Sequence, residues 1–151
     1  MDASAIPHWF SYPIRVQPHH TDYGGIVWHG TYITWLESAR VDAFAEVGLK
    51  FADLVVIGVD LPVVDLSLKY HRSLRLGDDA VVRSRALPRK GVRLTWDYRI
   101  ESSESPPDAA EPQCYVTGQI TLVALESKTG KVLRRYPPSL EQAVQSLSSA
   151  Q

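Results

Sequence analysis

The sequence predicts an α+β fold, with one long helix wrapped by a curved antiparallel β-sheet. Three observations lead there. A single sustained helical period runs from about His29 to Gly48. Four or five segments of alternating apolar and polar residues follow after Asp60. Turn signals rather than helices separate those segments, as expected for strands that neighbour one another antiparallel.

Each element has its own warrant. The first strand is expected at Ser11 to Gln17, where Tyr12, Ile14 and Val16 alternate with small or polar residues. Pro13 marks it as an edge strand or an irregular start, because proline has no N–H for a ladder. His19 to Gly25 is polar and glycine-rich and reads as a loop. In the helix, Ile33, Leu36, Ala39 or Arg40, Ala43, Phe44 and Val47 make one apolar stripe. Gly48 suits the position just past the helix end, which favours a left-handed backbone. Phe51 to Ile57 adds a short helical turn. Leu61 to Tyr70 reads as a long strand and Leu74 to Asp79 as a turn. Strands follow at Ala80 to Leu87 and Val92 to Glu101, joined through Pro88 to Gly91. Ser102 to Pro112 is a proline-rich loop, and Cys114 to Leu125 a long strand. Lys128 to Lys131 turns the chain into a last strand at Val132 to Arg135. Ser139 is placed as the cap of a final helix that carries Leu140, Ala143, Val144 and Leu147 on one face.

Composition excludes several functions. At 151 residues the chain suits one domain. A formal net charge of −1 offers no basic field for nucleic acid or an anionic membrane, so neither is expected as a partner. An anionic ligand must therefore be held by a local cluster. Cys114 is the single cysteine, so the fold needs no internal disulfide. No basic start followed by a long apolar run opens the chain, and a cytoplasmic protein is expected. His19, His20 and Asp22 lack a second ligand cluster, so no metal or other cofactor is expected. No G-x-S-x-G elbow supports a serine hydrolase.

The chemistry concentrates in His20 to Arg40, HTDYGGIVWHGTYITWLESAR. Asp22 precedes a Gly-Gly pair, then Val27, Trp28 and His29 lead into the helix. The first turn of a helix presents unpaired N–H groups and a positive dipole end. A carboxylate near such a turn can serve acyl transfer, with the amide holding developing negative charge. The plain alternative for Asp22 is a loop carboxylate that caps backbone amides. For His29 the choices are a backbone oxyanion donor, an imidazole that orients substrate or water, or a packing residue at the helix start.

The stretch from Thr21 to Arg40 resembles the signature of the 4-hydroxybenzoyl-CoA thioesterase family of hotdog-fold proteins. Asp22, Gly25, Ile26, Val27, Trp28, His29, Tyr32, Ile33, Trp35, Glu37, Ala39 and Arg40 match its pattern. The first acid of the family's D-x-D pair is His20 in this chain. The resemblance implies a hotdog fold and hydrolysis of an acyl-CoA thioester, aromatic or short-chain. Asp22 would be nucleophile or general base, with His29 supplying the oxyanion N–H. It further implies substrate contacts from Gly25, Val27, Trp28 and Tyr32, and CoA phosphate contacts from Arg89 and Lys90. A homodimer or homotetramer with the active site at a subunit interface is implied as well. A 1,4-dihydroxy-2-naphthoyl-CoA hydrolase and a non-catalytic acyl-CoA binding protein are the alternatives.

Overall fold

The computed structural model describes residues 8–105 and 107–149. Strand β1 (Phe10–Arg15) leads through a 3-10 turn at Pro18–His20 to helix α1 (His29–Glu46) and helix α2 (Phe51–Ile57). Then come β2 (Val59–Asp60), β3 (Val63–Tyr70), β4 (Asp79–Ala86), β5 (Arg93–Ser102), β6 (Cys114–Val123), β7 (Leu125–Glu126) and helix α3 (Pro138–Ser148). Five strands form one antiparallel sheet in the order β1-β4-β5-β6-β3, and β2 pairs with β7 beside it. This is the hotdog arrangement: the sheet curls around α1.

Alternation builds the core. Val82, Leu94, Trp96, Tyr98, Ile100, Ile120 and Leu122 point from the sheet toward α1 and are buried. Each side chain of this size, moved from water, stabilises the fold by roughly 1.5–3 kcal/mol. The helix answers with Tyr32, Trp35, Leu36, Ala39, Ala43 and Phe44. Of the expected stripe, Leu36, Ala39, Arg40, Ala43 and Phe44 are buried, and Ile33 and Val47 are not. Ile33 is 36% exposed, while Tyr32, one residue before it, and Trp35, one residue before Leu36, are buried. Aromatic rings occupy the middle of the seam and turn the helix to suit them.

Arg40 is also inside, at 4% exposure. Its Nη1 donates to the Tyr98 hydroxyl at 2.9 Å, while Nε has no partner and the Glu37 carboxylate lies 3.9 Å from Nη2. Burial pushes the Tyr98 phenol up to about 12, with Arg40 pulling the other way, so the hydroxyl stays neutral and accepts this bond.

The end of α1 follows the glycine rule. Gly48 has φ +93°, its N–H donates to the Ala45 carbonyl, and Leu49 N–H reaches back to Phe44. Those two bonds are a Schellman closure, and Leu49 is buried behind it.

Two expectations fail locally. Val132 to Arg135 is no strand: only Val132 bridges, to Leu125, before the two prolines end the pairing. Ser139 does not cap α3. The helix begins two residues earlier, with Pro137 at the cap and Pro138 in the first turn, where a missing N–H costs nothing.

The sheet edges differ. β1 contains Pro13, which blunts it. β3 carries Val63, Val64, Leu66 and Tyr70 at 40–50% exposure, an apolar row on an unpaired edge. Gly118 of β6 lies opposite Leu68 of β3, where a Cβ would come within 2.4 Å of Leu68 Cδ2 and 2.8 Å of the Ser67 carbonyl oxygen. The methyl has no room against backbone. Gly118→Ala is expected to destabilise the fold by about 1–3 kcal/mol, read from chemical denaturation midpoints.

Candidate active site

The loop between β1 and α1 is closed by its own ladder. Thr21 bridges Val27, and Asp22 N–H donates to the Ile26 carbonyl at 2.8 Å. This small hairpin brings Asp22, seven residues before His29 in the chain, back beside the helix start. Gly25 sits at the loop tip with φ +78°, a conformation that favours glycine. A second strap ties the loop to the β3–β4 connection: Val27 N–H donates to Leu74, and Leu76 N–H to Gly25.

Within the loop the Asp22 Oδ1 accepts from Gly24 N–H at 2.8 Å and Ile26 N–H at 3.2 Å. Asp22 is exposed, and no described hydrogen bond engages its Oδ2. The loop thus orients one carboxylate oxygen and leaves the other toward solvent. The carboxylate caps its own loop and can still act as a base or nucleophile; the two roles fall on different oxygens.

His29 is exposed at the first position of α1, and its ring lies 4.8 Å from the exposed Trp28 ring. Trp28 is the cap residue but makes no side-chain capping bond. Thr31 N–H pairs with the Trp28 carbonyl, and the N–H groups of His29 and Gly30 have no acceptor in the described hydrogen bonds. These two amides are the donors a thioester oxygen would need. The indole of Trp28 lies across the α-carbon of Gly30, where any Cβ would fall 2.0 Å from Cζ3. Glycine at 30 is required for the ring to lie there.

His20, in place of the family's first acid, is a brace. Its carbonyl accepts from Trp28 N–H and from the Thr31 hydroxyl, both at 3.0 Å. Its Nδ1 accepts from Gln17 N–H at 2.9 Å, and its ring packs edge-on to Trp35 at 4.9 Å. Burial lowers the His20 pKa below the ordinary value of 6.5, and neighbouring His19 lowers it further.

The remaining sequence candidates separate. Val27 and Tyr32 are buried at 4% and 3%, so neither offers open surface in this protomer. The Tyr32 hydroxyl accepts from Leu74 N–H at 3.1 Å, and burial raises its phenol pKa. Arg89 and Lys90 lie beyond the other end of β4, about 25 Å along the strand from its start beside the Asp22 loop. One protomer does not bring them to Asp22. The Arg89 guanidinium also stacks 3.9 Å over Tyr136 and faces Glu141 at 3.5 Å, which fixes it against α3. At the Asp22 end the cations are instead Arg72 and Arg75; Arg75 bridges Ile26 through its backbone. A depression of about 440 Å³ lies on the outer sheet face, lined by Trp9, Arg85, Asp97, Arg99 and their neighbours, away from Asp22. Among the described residues no group of three or more His, Cys, Asp or Glu could hold a metal, and no helix is long and apolar enough to cross a membrane.

Sequence reasoning missed Tyr70. Its hydroxyl donates to the His29 carbonyl at 2.9 Å, and its ring packs 5.4 Å from Tyr32. The only signal was an aromatic residue at the end of a strand, which periodicity assigns to packing.

A five-stranded antiparallel sheet curled around one long helix defines the hotdog class of fold. The Thioesterase superfamily profile matches residues 24–107, and the chain belongs to that superfamily as a thioester hydrolase. It is 53% identical to the putative esterase sll0410 of Synechocystis over 89% of this chain and 77% of that protein. It is 33% identical to the putative acyl-CoA thioesterase YneP of Bacillus subtilis over 58% and 63% of the two chains. The structure of a DHNA-CoA thioesterase from Staphylococcus aureus superposes with a TM-score of 0.79 at 27% identity, covering 91% of this chain and 89% of that one.

The His20 geometry carries a pH dependence. A folded-state pKa below the unfolded value means the unfolded chain binds more protons just below pH 6.5. His20 therefore costs no stability above that pH and destabilises the fold as pH falls through it. The thermal midpoint is expected to drop between pH 7.5 and 5.5. The drop should be shallower in His20→Asn, which keeps an acceptor for Gln17 without the titration.

Proposed function

We propose that this chain hydrolyses an acyl-CoA thioester, with Asp22 as general base or nucleophile and the amides of His29 and Gly30 as oxyanion donors. The observation that supports the reading is a closed loop, bridged Thr21 to Val27 and His20 to Trp28, that carries an exposed Asp22 carboxylate and leads into a helix start with two amides unpaired among the described hydrogen bonds. A thioester carbonyl bound there would face both parts it needs. Oxygen adds to the acyl carbon, directly from water or first from the carboxylate, while the amides hold charge on the carbonyl oxygen. The C–S bond then breaks and the thiolate leaves, taking up the proton given up by water; in the carboxylate route that water hydrolyses the mixed anhydride, which restores Asp22 and releases the free acid. A well-placed donor lowers such a barrier by roughly 3 kcal/mol.

A flat aromatic acyl group is the favoured substrate, within the 4-hydroxybenzoyl-CoA thioesterase branch. Trp28 and His29 present adjacent exposed rings beside the amides. The Staphylococcus aureus neighbour, titled a DHNA-CoA thioesterase, supports 1,4-dihydroxy-2-naphthoyl-CoA as the first compound to try. Lys90 is exposed and forms no ion pair with described residues, so it keeps a free head for a CoA phosphate. From one protomer Arg75 is nearer to Asp22.

The working unit is a homodimer at least. Edge strand β3 carries an apolar row that a second copy laid edge to edge would cover. Leu66→Lys should weaken that pairing and lower the molecular mass measured by light scattering toward one chain.

Asp22→Asn tests the chemistry. Asparagine keeps an oxygen for Gly24 and Ile26 but loses charge and basicity. Turnover is expected to fall about 10²–10⁴-fold with acyl-CoA binding and the thermal midpoint retained. A wild-type protein that binds acyl-CoA yet hydrolyses none of a broad aromatic and aliphatic panel would instead be a carrier.

A further inference from the structure

Resting on the hydrolase reading above, we propose that Tyr70 is a positioning residue that aims the Gly30 amide at the substrate carbonyl. The connection is a single peptide unit. The C=O of His29 and the N–H of Gly30 belong to the same planar group and point in opposite directions. The Tyr70 hydroxyl holds that group by its oxygen at 2.9 Å. Fixing the oxygen fixes the direction of the N–H at the other end. A hydrogen bond to the carbonyl also polarises the peptide and strengthens its N–H as a donor.

The rest of the surroundings agrees with a grip that is built in. The Tyr70 ring rests on Tyr32 at 5.4 Å, and Tyr32 is itself pinned through its hydroxyl to Leu74 N–H. Tyr70 thus reaches the helix from a braced position. The fold does not need the bond to satisfy His29, whose carbonyl lies in the first turn and already serves the helix ladder. Tyr70 is 49% exposed, so burial alone does not account for a tyrosine there. On the other side of the same peptide, Gly30 has no side chain and the Trp28 ring lies against its α-carbon. One face of the peptide unit is therefore walled, one end is held, and the amide end is open. Tyr70 also stands on edge strand β3, so the strand that a second copy would pair with is the strand that grips the helix start.

The test compares wild type with Tyr70→Phe by amide-resolved NMR and by hydrolysis of 1,4-dihydroxy-2-naphthoyl-CoA and a panel of short-chain acyl-CoA thioesters. The expected result is an upfield shift of the Gly30 amide proton, with kcat lowered about tenfold, KM within twofold and the thermal midpoint unchanged. An unmoved Gly30 amide, or a moved amide with unchanged kcat, overturns the proposal. Should Tyr70→Phe fail to fold, 3-fluorotyrosine placed at 70 gives a more acidic donor. It should move the Gly30 amide downfield, and no shift overturns the proposal equally. A wild-type protein that hydrolyses nothing in the panel while Tyr70→Phe still moves the amide overturns the hydrolysis reading and the positioning role with it. That outcome is distinct from an unmoved amide in an active enzyme, which removes Tyr70 alone.

Discussion

The carbonyl of His20 takes two hydrogen bonds, from Trp28 N–H and the Thr31 hydroxyl, and the rest of the site depends on them. Helix α1 has no side-chain cap of its own. An uncapped start frays unless something outside the helix holds it. His20 holds it from the loop, and through the loop ties the helix to β1 and to the β3–β4 connection. A capping Ser or Asp at position 28 would have steadied the helix by using up one of its first amides. This chain leaves those amides unpaired and steadies the turn from the sides, which is how a helix start stays both ordered and available.

The same economy governs the charged groups. Asp22 gives one oxygen to the loop amides and leaves the other toward solvent. His20 accepts from Gln17 and packs on Trp35, and its burial lowers its pKa below the ordinary value. Arg40 fills the seam between helix and sheet with its charge met by one phenol oxygen and a distant Glu37. Removing Tyr98 would leave that guanidinium buried with almost nothing to bond, an expensive arrangement in an apolar interior.

The fold was legible because its signals are periodic. Alternation through Leu94, Trp96, Tyr98 and Ile100 marks a strand with one buried face, and Gly48 marks a helix end, without reference to anything distant. The helix phase was not legible. Ile33 fits a stripe as well as Tyr32 and Trp35 do, and the sequence does not say that the two rings enter the seam while Ile33 stays half out. Asp22 and His29 could be singled out because a short loop keeps chain neighbours close. Arg89 and Lys90 were legible as the connection between two strands, but not their distance from Asp22, since the sequence does not say which end of β4 the Asp22 loop packs against. Tyr70 lies 41 residues from the carbonyl it bonds, and no local pattern reports a contact of that separation.

The central claim is that an acyl thioester lies between Asp22 and the first two amides of α1. Its most direct test is a crystal structure of the Asp22→Asn variant with intact 1,4-dihydroxy-2-naphthoyl-CoA bound. The account predicts the thioester oxygen 2.7–3.1 Å from the N–H of His29 or Gly30, with the acyl carbon facing residue 22. An acyl group seated on the outer sheet face, or a helix start whose amides meet only solvent, would contradict it.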